Sequence, residues 1–165
     1  MILSSDKVLQ GQEVEILQVG VIVKDLNKTV EFLTQLGLGP FEQFIGEHSA
    51  AKVKGEKSAY TVATAGSQQG AVQLELIEHR RGKTIQKDFI DTKGEGIHHI
   101  LFKVKNLDTS IKKFSEQGVE VLQEDRFVGG GGMAYMATDK IGGIVFELVQ
   151  LPENYDPVKG LTYQD

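Results

Sequence analysis

The sequence contains an internal repeat, and this constrains the fold more than any other feature. Residues 18–30 (QVGVIVKDLNKTV) align with residues 99–111 (HILFKVKNLDTSI), an offset of 81 residues (99 − 18). In both copies an apolar run ends at a helix-capping residue, Asp25 or Asn106, and a segment of helical periodicity then ends at Gly37 or Gly118. Residues 72–78 (VQLELIE) and 144–150 (IVFELVQ) form a second pair, at an offset of 72 (147 − 75). The chain is therefore predicted to be two copies of one strand–helix–strand unit.

The stretches between these segments complete the predicted topology. Alternating and β-branched residues predict further strands over 43–46, 59–64, 121–124 and 134–138. Each half is then a βαβββ module, and the chain is α+β. The predicted boundaries are an N-terminal extension (1–14), the first module (15–78), a connection with a short helix over 84–90 (79–96), the second module (97–150) and a C-terminal surface tail (151–165).

Composition excludes several classes of function. The 165 residues include 18 Lys and Arg against 23 Asp and Glu, with no basic run, so we expect no nucleic-acid partner. No apolar stretch approaches the roughly 20 residues that span a bilayer, and the first residues are polar, so we expect a cytoplasmic protein without a membrane partner. Because the chain has no cysteine, any metal ligand must be nitrogen or oxygen.

Four polar residues lie at equivalent positions in the two halves. Gln18 and His99 lie in the first strand of each module, and Glu75 and Glu147 lie in the last. Since strand side chains alternate between faces, each shares its face with apolar neighbours. A carboxylate in such surroundings is costly unless a cation or hydrogen bonds compensate its charge. The pattern predicts one divalent ion (Zn²⁺, Co²⁺, Ni²⁺ or Mn²⁺) held by all four residues, with a metal-free polar network as the alternative.

The paired modules, the segment 96–104 (GIHHILFKV) and the closing segment 142–152 (GGIVFELVQLP) resemble the vicinal oxygen chelate superfamily. This superfamily includes glyoxalase I, methylmalonyl-CoA epimerase, extradiol dioxygenases and bleomycin resistance proteins. The overall sequence pattern is most similar to that of the epimerases. The resemblance implies a cupped, mostly antiparallel sheet around a metal held by Gln18, Glu75, His99 and Glu147. It also implies a metal-dependent isomerase or lyase that moves a proton α to a carbonyl, with Glu147 as the catalytic base. The implied partners are a small-molecule substrate such as an acyl-CoA and, since members often dimerise, a second copy of the chain.

The types of the predicted ligand residues are also compatible with the functions of other members of the superfamily. Epimerases of this type commonly have His and Gln at the first two ligand positions, whereas this chain has Gln18 and Glu75, a set that resembles some glyoxalase I enzymes. A lactoylglutathione lyase is therefore an alternative, although His79 stands where glyoxalase I has an Asn that helps to hold glutathione. A metal-free binding protein of the bleomycin-resistance kind is another. An extradiol dioxygenase is disfavoured because Gln18 replaces the first of its two histidines.

Three further features receive structural interpretations. His98 neighbours His99, and strand alternation predicts that the two rings point to opposite faces, so His98 is interpreted as structural. His48 is interpreted as a surface residue, and glycines 129–132 as a flexible turn or, alternatively, a mobile loop over a substrate. The proton donor that an epimerase needs on the opposite face is not identified, and Tyr60 and a metal-bound water are the candidates.

Overall fold

The structure, a computed structural model, describes residues 9, 15–140, 142–156 and 160–165. Within these ranges the chain forms eight strands and three helices. In chain order they are β1 (Glu15–Ile22), α1 (Leu26–Gln35), β2 (Glu42–Val53), β3 (Glu56–Gln69), β4 (Val72–Arg81), α2 (Ile85–Lys93), β5 (Gly96–Lys103), α3 (Leu107–Glu116), β6 (Val121–Arg126), β7 (Gly132–Met136) and β8 (Val145–Gln150).

The eight strands close into a barrel in the order β1-β4-β3-β2-β6-β7-β8-β5. The pairs β1–β4 and β5–β8 are parallel, and the other six are antiparallel. The predicted α+β fold with a mostly antiparallel sheet is therefore confirmed. Closure depends on β2 and β6, which pair only at Lys52↔Glu124 and Val53↔Gln123. This short seam is the weakest part of the ring.

The two predicted helix caps are present in equivalent positions. The Asp25 carboxylate accepts a hydrogen bond from the Lys28 backbone N–H at 3.0 Å, and the Asn106 side chain accepts one from Thr109 N–H at 2.8 Å. Such caps each contribute about 1 kcal/mol. Both helices lie outside the barrel, where Leu26 and Leu107 are buried against the outer faces of their own modules. Two further apolar clusters fill the barrel around the predicted polar residues.

Helix α2 lies between the two halves and is longer than the predicted 84–90 segment. Thr84 caps it by accepting from Lys87 N–H at 3.0 Å, and it continues to Lys93 before Gly94 ends it at a φ of +82°. Ile85 packs into one cluster inside the barrel, and Phe89 packs against the other. The connection between the modules is therefore part of the barrel core.

Strands β2 and β3 are much longer than the sequence predicted. The predicted segments 43–46 and 59–64 are parts of a hairpin that joins Glu42–Val53 to Glu56–Gln69 around a turn at Lys54 and Gly55, whose φ angles are +52° and +82°. The alternation of this hairpin is hidden because small residues such as Ala51 and Ala65 are buried, whereas Phe44 and Ile45 are exposed. None of the helices in the described ranges has the length and apolarity that membrane crossing requires. The domain boundaries of the sequence analysis stay a prediction.

Candidate metal and active site

Glu75, His99 and Glu147 meet inside the barrel. Strand β1 lies between β4 and β5, and its Gly20 is the register partner of both Glu75 and His99. The His99 Nε2 atom lies 3.1 Å from Glu147 Oε2 and 3.6 Å from Glu75 Oε2. His99 is fully buried and Glu147 is 4% exposed. The pairing of the strands thus brings together three of the four residues predicted from the repeat.

Gln18, the fourth predicted residue, faces the same cavity but is held by a neighbour. Its Nε2 donates a hydrogen bond of 2.6 Å to Gln73 Oε1 on the adjacent strand β4. This bond uses the amide nitrogen of Gln18 and leaves its oxygen, the atom that would bind a cation, free to turn toward the other three residues. The assignment of all four residues as metal ligands stays a prediction.

Gly20 explains how the His99 ring fits between the two carboxylates. A Cβ atom built at Gly20 would overlap the ring of His99 at Nε2, Cε1 and Nδ1. The equivalent position in the second half is Leu101, which packs into the barrel core. The two halves therefore differ at this point, and the missing side chain in the first half makes the space that the imidazole of the second half fills.

Burial and the neighbouring charges shift the protonation of this cluster. Burial, reinforced by Glu75, raises the pKa of Glu147 to about 7, while His99 and a hydrogen bond from Tyr135 act to lower it. Burial alone would lower the pKa of His99, but its contact with Glu75 and the charge of Glu147 raise it. Tyr135, the register partner of Glu147 on β7, was missed by sequence reasoning because an aromatic residue in a strand reads as ordinary core.

His98 lies on the same side of the strand as His99, so the prediction of opposite faces is wrong. The register between β1 and β5 passes from Gly20↔His99 to Val21↔Ile97, which leaves His98 as the extra residue of a β-bulge. The two Nδ1 atoms are 3.1 Å apart, so one ring donates an N–H hydrogen bond to the other. Burial, then His99, lowers the pKa of His98 to about 3. The tautomer of His99 is therefore coupled to that of a neutral His98.

His48 is buried, so its interpretation as a surface residue is also wrong. It is 5% exposed because β2 continues past it and turns it into the barrel. Its Nδ1 lies 2.7 Å from Asp125 Oδ2 on β6, and its ring stacks on Tyr60 with centroids 4.2 Å apart. Sequence reasoning could not find this pair because its members lie 77 residues apart and belong to different modules.

The barrel interior holds a cavity of about 130 Å³, lined by Gln18, Glu75, Glu147, His48 and Tyr163 among others. It adjoins a groove of about 500 Å³ along β2, with which it shares His48, Glu75 and Tyr163. The C-terminal residues form part of its wall. Val128 N–H donates to Thr162 O at 2.8 Å, and the Tyr163 ring lies 4.0 Å from that of His48. Residues 160–165, predicted as surface tail, thus cover the candidate site.

The glycine run forms the turn that the sequence predicted. Gly129, Gly130 and Gly131 all have positive φ, and Gly130 N–H donates to Phe127 O at 3.3 Å. The turn joins β6 to β7, and Phe127 just before it pairs with Tyr163 of the C-terminal segment. The turn therefore places the C-terminal segment against the cavity.

The residues of the cluster fit a divalent cation. His99 Nε2 and Glu147 Oε2 are buried and lack a hydrogen-bond partner, which is costly unless something else satisfies them. Ligands of one cation lie roughly 3 Å apart, close to the observed spacing. Across the described ranges no three His, Asp or Glu side chains form a complete metal-binding group as they stand. Glu75 and Gln18 would have to turn slightly toward the other two.

Comparison with known proteins identifies relatives of this chain. The family model of the glyoxalase/bleomycin resistance protein/dioxygenase superfamily matches residues 17–136. The uncharacterized protein YqjC of Bacillus subtilis is 32% identical over 93 residues, which cover 54% of this chain and 65% of YqjC. The match thus spans less than two thirds of that relative's length.

Solved structures of methylmalonyl-CoA epimerases share this architecture. An epimerase in complex with methylmalonyl-CoA and NH₄⁺ is 25% identical, with a TM-score of 0.62 over 86% of this chain and 96% of that chain. A variant of the Streptomyces coelicolor epimerase in complex with 2-nitronate-propionyl-CoA is 26% identical, with a TM-score of 0.60 over 82% of this chain and 95% of that chain. The chain is thus similar in sequence and structure to proteins that bind acyl-CoA compounds.

Proposed function

Because the chain belongs to the glyoxalase/bleomycin resistance protein/dioxygenase superfamily, we propose that it is a divalent-metal-dependent enzyme that moves a proton α to a carbonyl, with an acyl-CoA ester as substrate. One observation carries this proposal. Glu147 is a buried carboxylate with an unpartnered oxygen, it lies 3.1 Å from His99, and its pKa is raised to about 7. In the metal-free protein this carboxylate is therefore a stronger base than an exposed one, which suits it to accept a proton from carbon.

In this proposal His99, Glu75 and Gln18 would hold the cation together with Glu147, and Glu147 would also face the substrate as the base. A divalent cation at this point would polarise the substrate carbonyl and stabilise the negative charge that develops on its oxygen. Glu147 takes the proton from the α-carbon. Tyr135, whose hydrogen bond lowers the pKa of Glu147, holds the carboxylate in place for this transfer.

The substrate class is inferred from the epimerase structures and from the shape of the site. The inner cavity of about 130 Å³ suits a short acyl group, and the groove of about 500 Å³ beside it has room for the arm of a larger carrier. The glyoxalase I alternative keeps the same chemistry with a hemithioacetal substrate. The expected homodimer stays a prediction that sedimentation velocity would check.

Deuterium exchange tests the proposed reaction. The Zn²⁺- or Co²⁺-loaded protein is incubated in D₂O with methylmalonyl-CoA, and loss of the α-proton signal is followed by NMR. We expect exchange well above that of the metal-stripped protein. A parallel assay offers the hemithioacetal of methylglyoxal and glutathione. Turnover of the hemithioacetal alone would favour the lyase, and no turnover of either substrate by the metal-loaded protein would contradict the proposed function.

Metal affinity is expected to increase with pH. A proton on Glu147, whose pKa is raised to about 7, competes with the cation at pH 6 and is mostly absent at pH 8. The proton on His99, whose pKa is also raised, competes in the same direction. The Zn²⁺ affinity should therefore be at least roughly tenfold higher at pH 8 than at pH 6. Calorimetric titration measures this change, and an affinity that is constant or higher at pH 6 would exclude these two residues as ligands.

A further inference from the structure

Inverting the configuration of a carbon by proton transfer needs one group on each face of that carbon, because the proton removed from one side must be replaced from the other. The proposed function supplies Glu147 for one face only. The inference that follows rests on that proposed function and concerns the residue on the second face.

His48 and Asp125 form a buried pair of titratable side chains outside the candidate metal cluster. His48 is 5% exposed and Asp125 is 3% exposed, and the 2.7 Å contact joins His48 Nδ1 to Asp125 Oδ2. The imidazole is fixed between two aromatic rings, since its centroid lies 4.2 Å from that of Tyr60 and 4.0 Å from that of Tyr163. The two tyrosine rings and the contact with Asp125 thus fix the orientation of the His48 imidazole.

The second nitrogen of His48 lies beside Gly46, at the wall of the groove. A Cβ built at Gly46 would lie 3.1 Å from His48 Nε2, so the missing side chain of Gly46 leaves this atom uncovered. His48 lines both the inner cavity and the adjoining groove. A histidine with Nδ1 bound to a buried carboxylate and Nε2 facing a cavity can give or take a proton there.

The barrel places His48 across the cavity from Glu147. His48 lies on β2 and Asp125 on β6, which are neighbours in the ring, while Glu147 lies on β8 and Glu75 on β4. In this ring of eight strands β2 lies four places from β5, which carries His99, and three places from β8. The pair and the candidate metal cluster therefore occupy opposite walls of one cavity that both His48 and Glu147 line.

Other groups near the cavity are less suited to this role. Burial raises the pKa of Tyr60, so its hydroxyl is a weak acid. The same hydroxyl oxygen also accepts a hydrogen bond of 3.1 Å from Gln123 Nε2. Burial also raises the pKa of Tyr135, which contacts Glu147 on the same wall.

We propose that His48, held by Asp125, is the acid/base that serves the face of the α-carbon opposite Glu147. Glu147 takes the α-proton, the electron pair of the C–H bond passes to the carbonyl to give the enolate, and protonated His48 delivers a proton to the other face from Nε2. In the reverse direction neutral His48 removes the proton and Glu147 returns one. Asp125 is a positioning residue that stabilises the protonated imidazole.

The test follows each C2 epimer of methylmalonyl-CoA separately in D₂O with the metal-loaded protein and its His48→Gln variant. The wild type should exchange the α-proton of both epimers and interconvert them. The variant should interconvert them about 10²-fold more slowly or worse, yet still exchange the α-proton of one epimer with retention of configuration through Glu147. Loss of structure alone would abolish both exchanges. Metal content equal to that of the wild type shows that the metal cluster is intact in the variant.

A second variant covers the case in which His48→Gln fails to fold. Asp125→Asn keeps a side chain of the same size beside His48 but removes its charge, and it should show the same one-sided exchange with a smaller loss of interconversion, about tenfold or more. Interconversion within threefold of the wild-type rate in a folded His48→Gln protein would overturn the assignment and leave the proposed function intact. A wild type that exchanges the α-proton of neither epimer would overturn the proposed function and, with it, the role of His48.

Discussion

The Glu147→Gln variant is expected to exchange the α-proton of one methylmalonyl-CoA epimer about 10²–10⁴-fold more slowly than the wild type, because it removes the group that takes the proton. It should also bind Zn²⁺ more weakly, since an amide is a poorer ligand than a carboxylate. Exchange measured by NMR and metal content measured on the same samples check both effects. The matched control is Glu116→Gln, which removes an exposed carboxylate whose contact is a 4.0 Å ion pair with Lys112.

The stability of the metal-free Glu147→Gln variant distinguishes loss of a ligand from loss of the fold. The folded-state pKa of Glu147 is raised from 4.5 to about 7, so the native state binds the proton more tightly and its stability falls as pH increases through this interval. Glutamine removes this charge. At pH 8 the metal-free variant should be as stable as the metal-free wild type, or more stable by about 1–3 kcal/mol. A large decrease in melting temperature at pH 8 would contradict this account of the buried carboxylate.

Gly20→Ala is expected to have the second large effect, because the new methyl group would occupy the space of the His99 ring. The ring is fully buried between two carboxylates and has little room to move. Overpacking of this kind costs about 1–3 kcal/mol of stability, and displacement of His99 should remove most of the metal affinity. Thermal unfolding of the metal-free protein and Zn²⁺ titration measure the two effects.

Gly46→Ala is the matched control for Gly20→Ala in these two measurements. Its added methyl group would lie 3.1 Å from the nearest atom, His48 Nε2, so a shift of a few tenths of an ångström accommodates it. It should keep the Zn²⁺ affinity of the wild type. A Gly20→Ala protein with the melting temperature and metal affinity of the wild type would show that the His99 ring does not lie against Gly20 between the two carboxylates.

The repeat made much of the fold predictable because its signals are local. The caps at Asp25 and Asn106 and the glycines that follow each helix depend on residues within a few positions of one another. The pairing of the two halves then followed from the equivalence of Gln18 with His99 and of Glu75 with Glu147. Three of these four residues, Glu75, His99 and Glu147, lie together in the structure. This follows from the pseudo-symmetry of the two halves once their strands pair inside one barrel.

The features that sequence reasoning missed depend on contacts between distant parts of the chain. Closure of the barrel needs β2 to meet β6, and the His48–Asp125 pair forms only because of that closure. The bulge at His98 is an irregularity of pairing that strict alternation cannot foresee. Tyr163 gives no local sign that it packs against His48, because its position depends on the pairing of the C-terminal segment with Phe127.

Metal content shows whether Gln18, Glu75, His99 and Glu147 hold a divalent cation. The wild-type protein is stripped with chelator, reloaded with Zn²⁺, Co²⁺, Ni²⁺ or Mn²⁺ and dialysed, beside Glu147→Gln and the Glu116→Gln control. Bound metal is then measured by inductively coupled plasma mass spectrometry. We expect about one ion per chain in the wild type and the control and much less in Glu147→Gln. A folded wild-type protein that takes up none of these four metals would exclude this metal site and favour a metal-free binding protein.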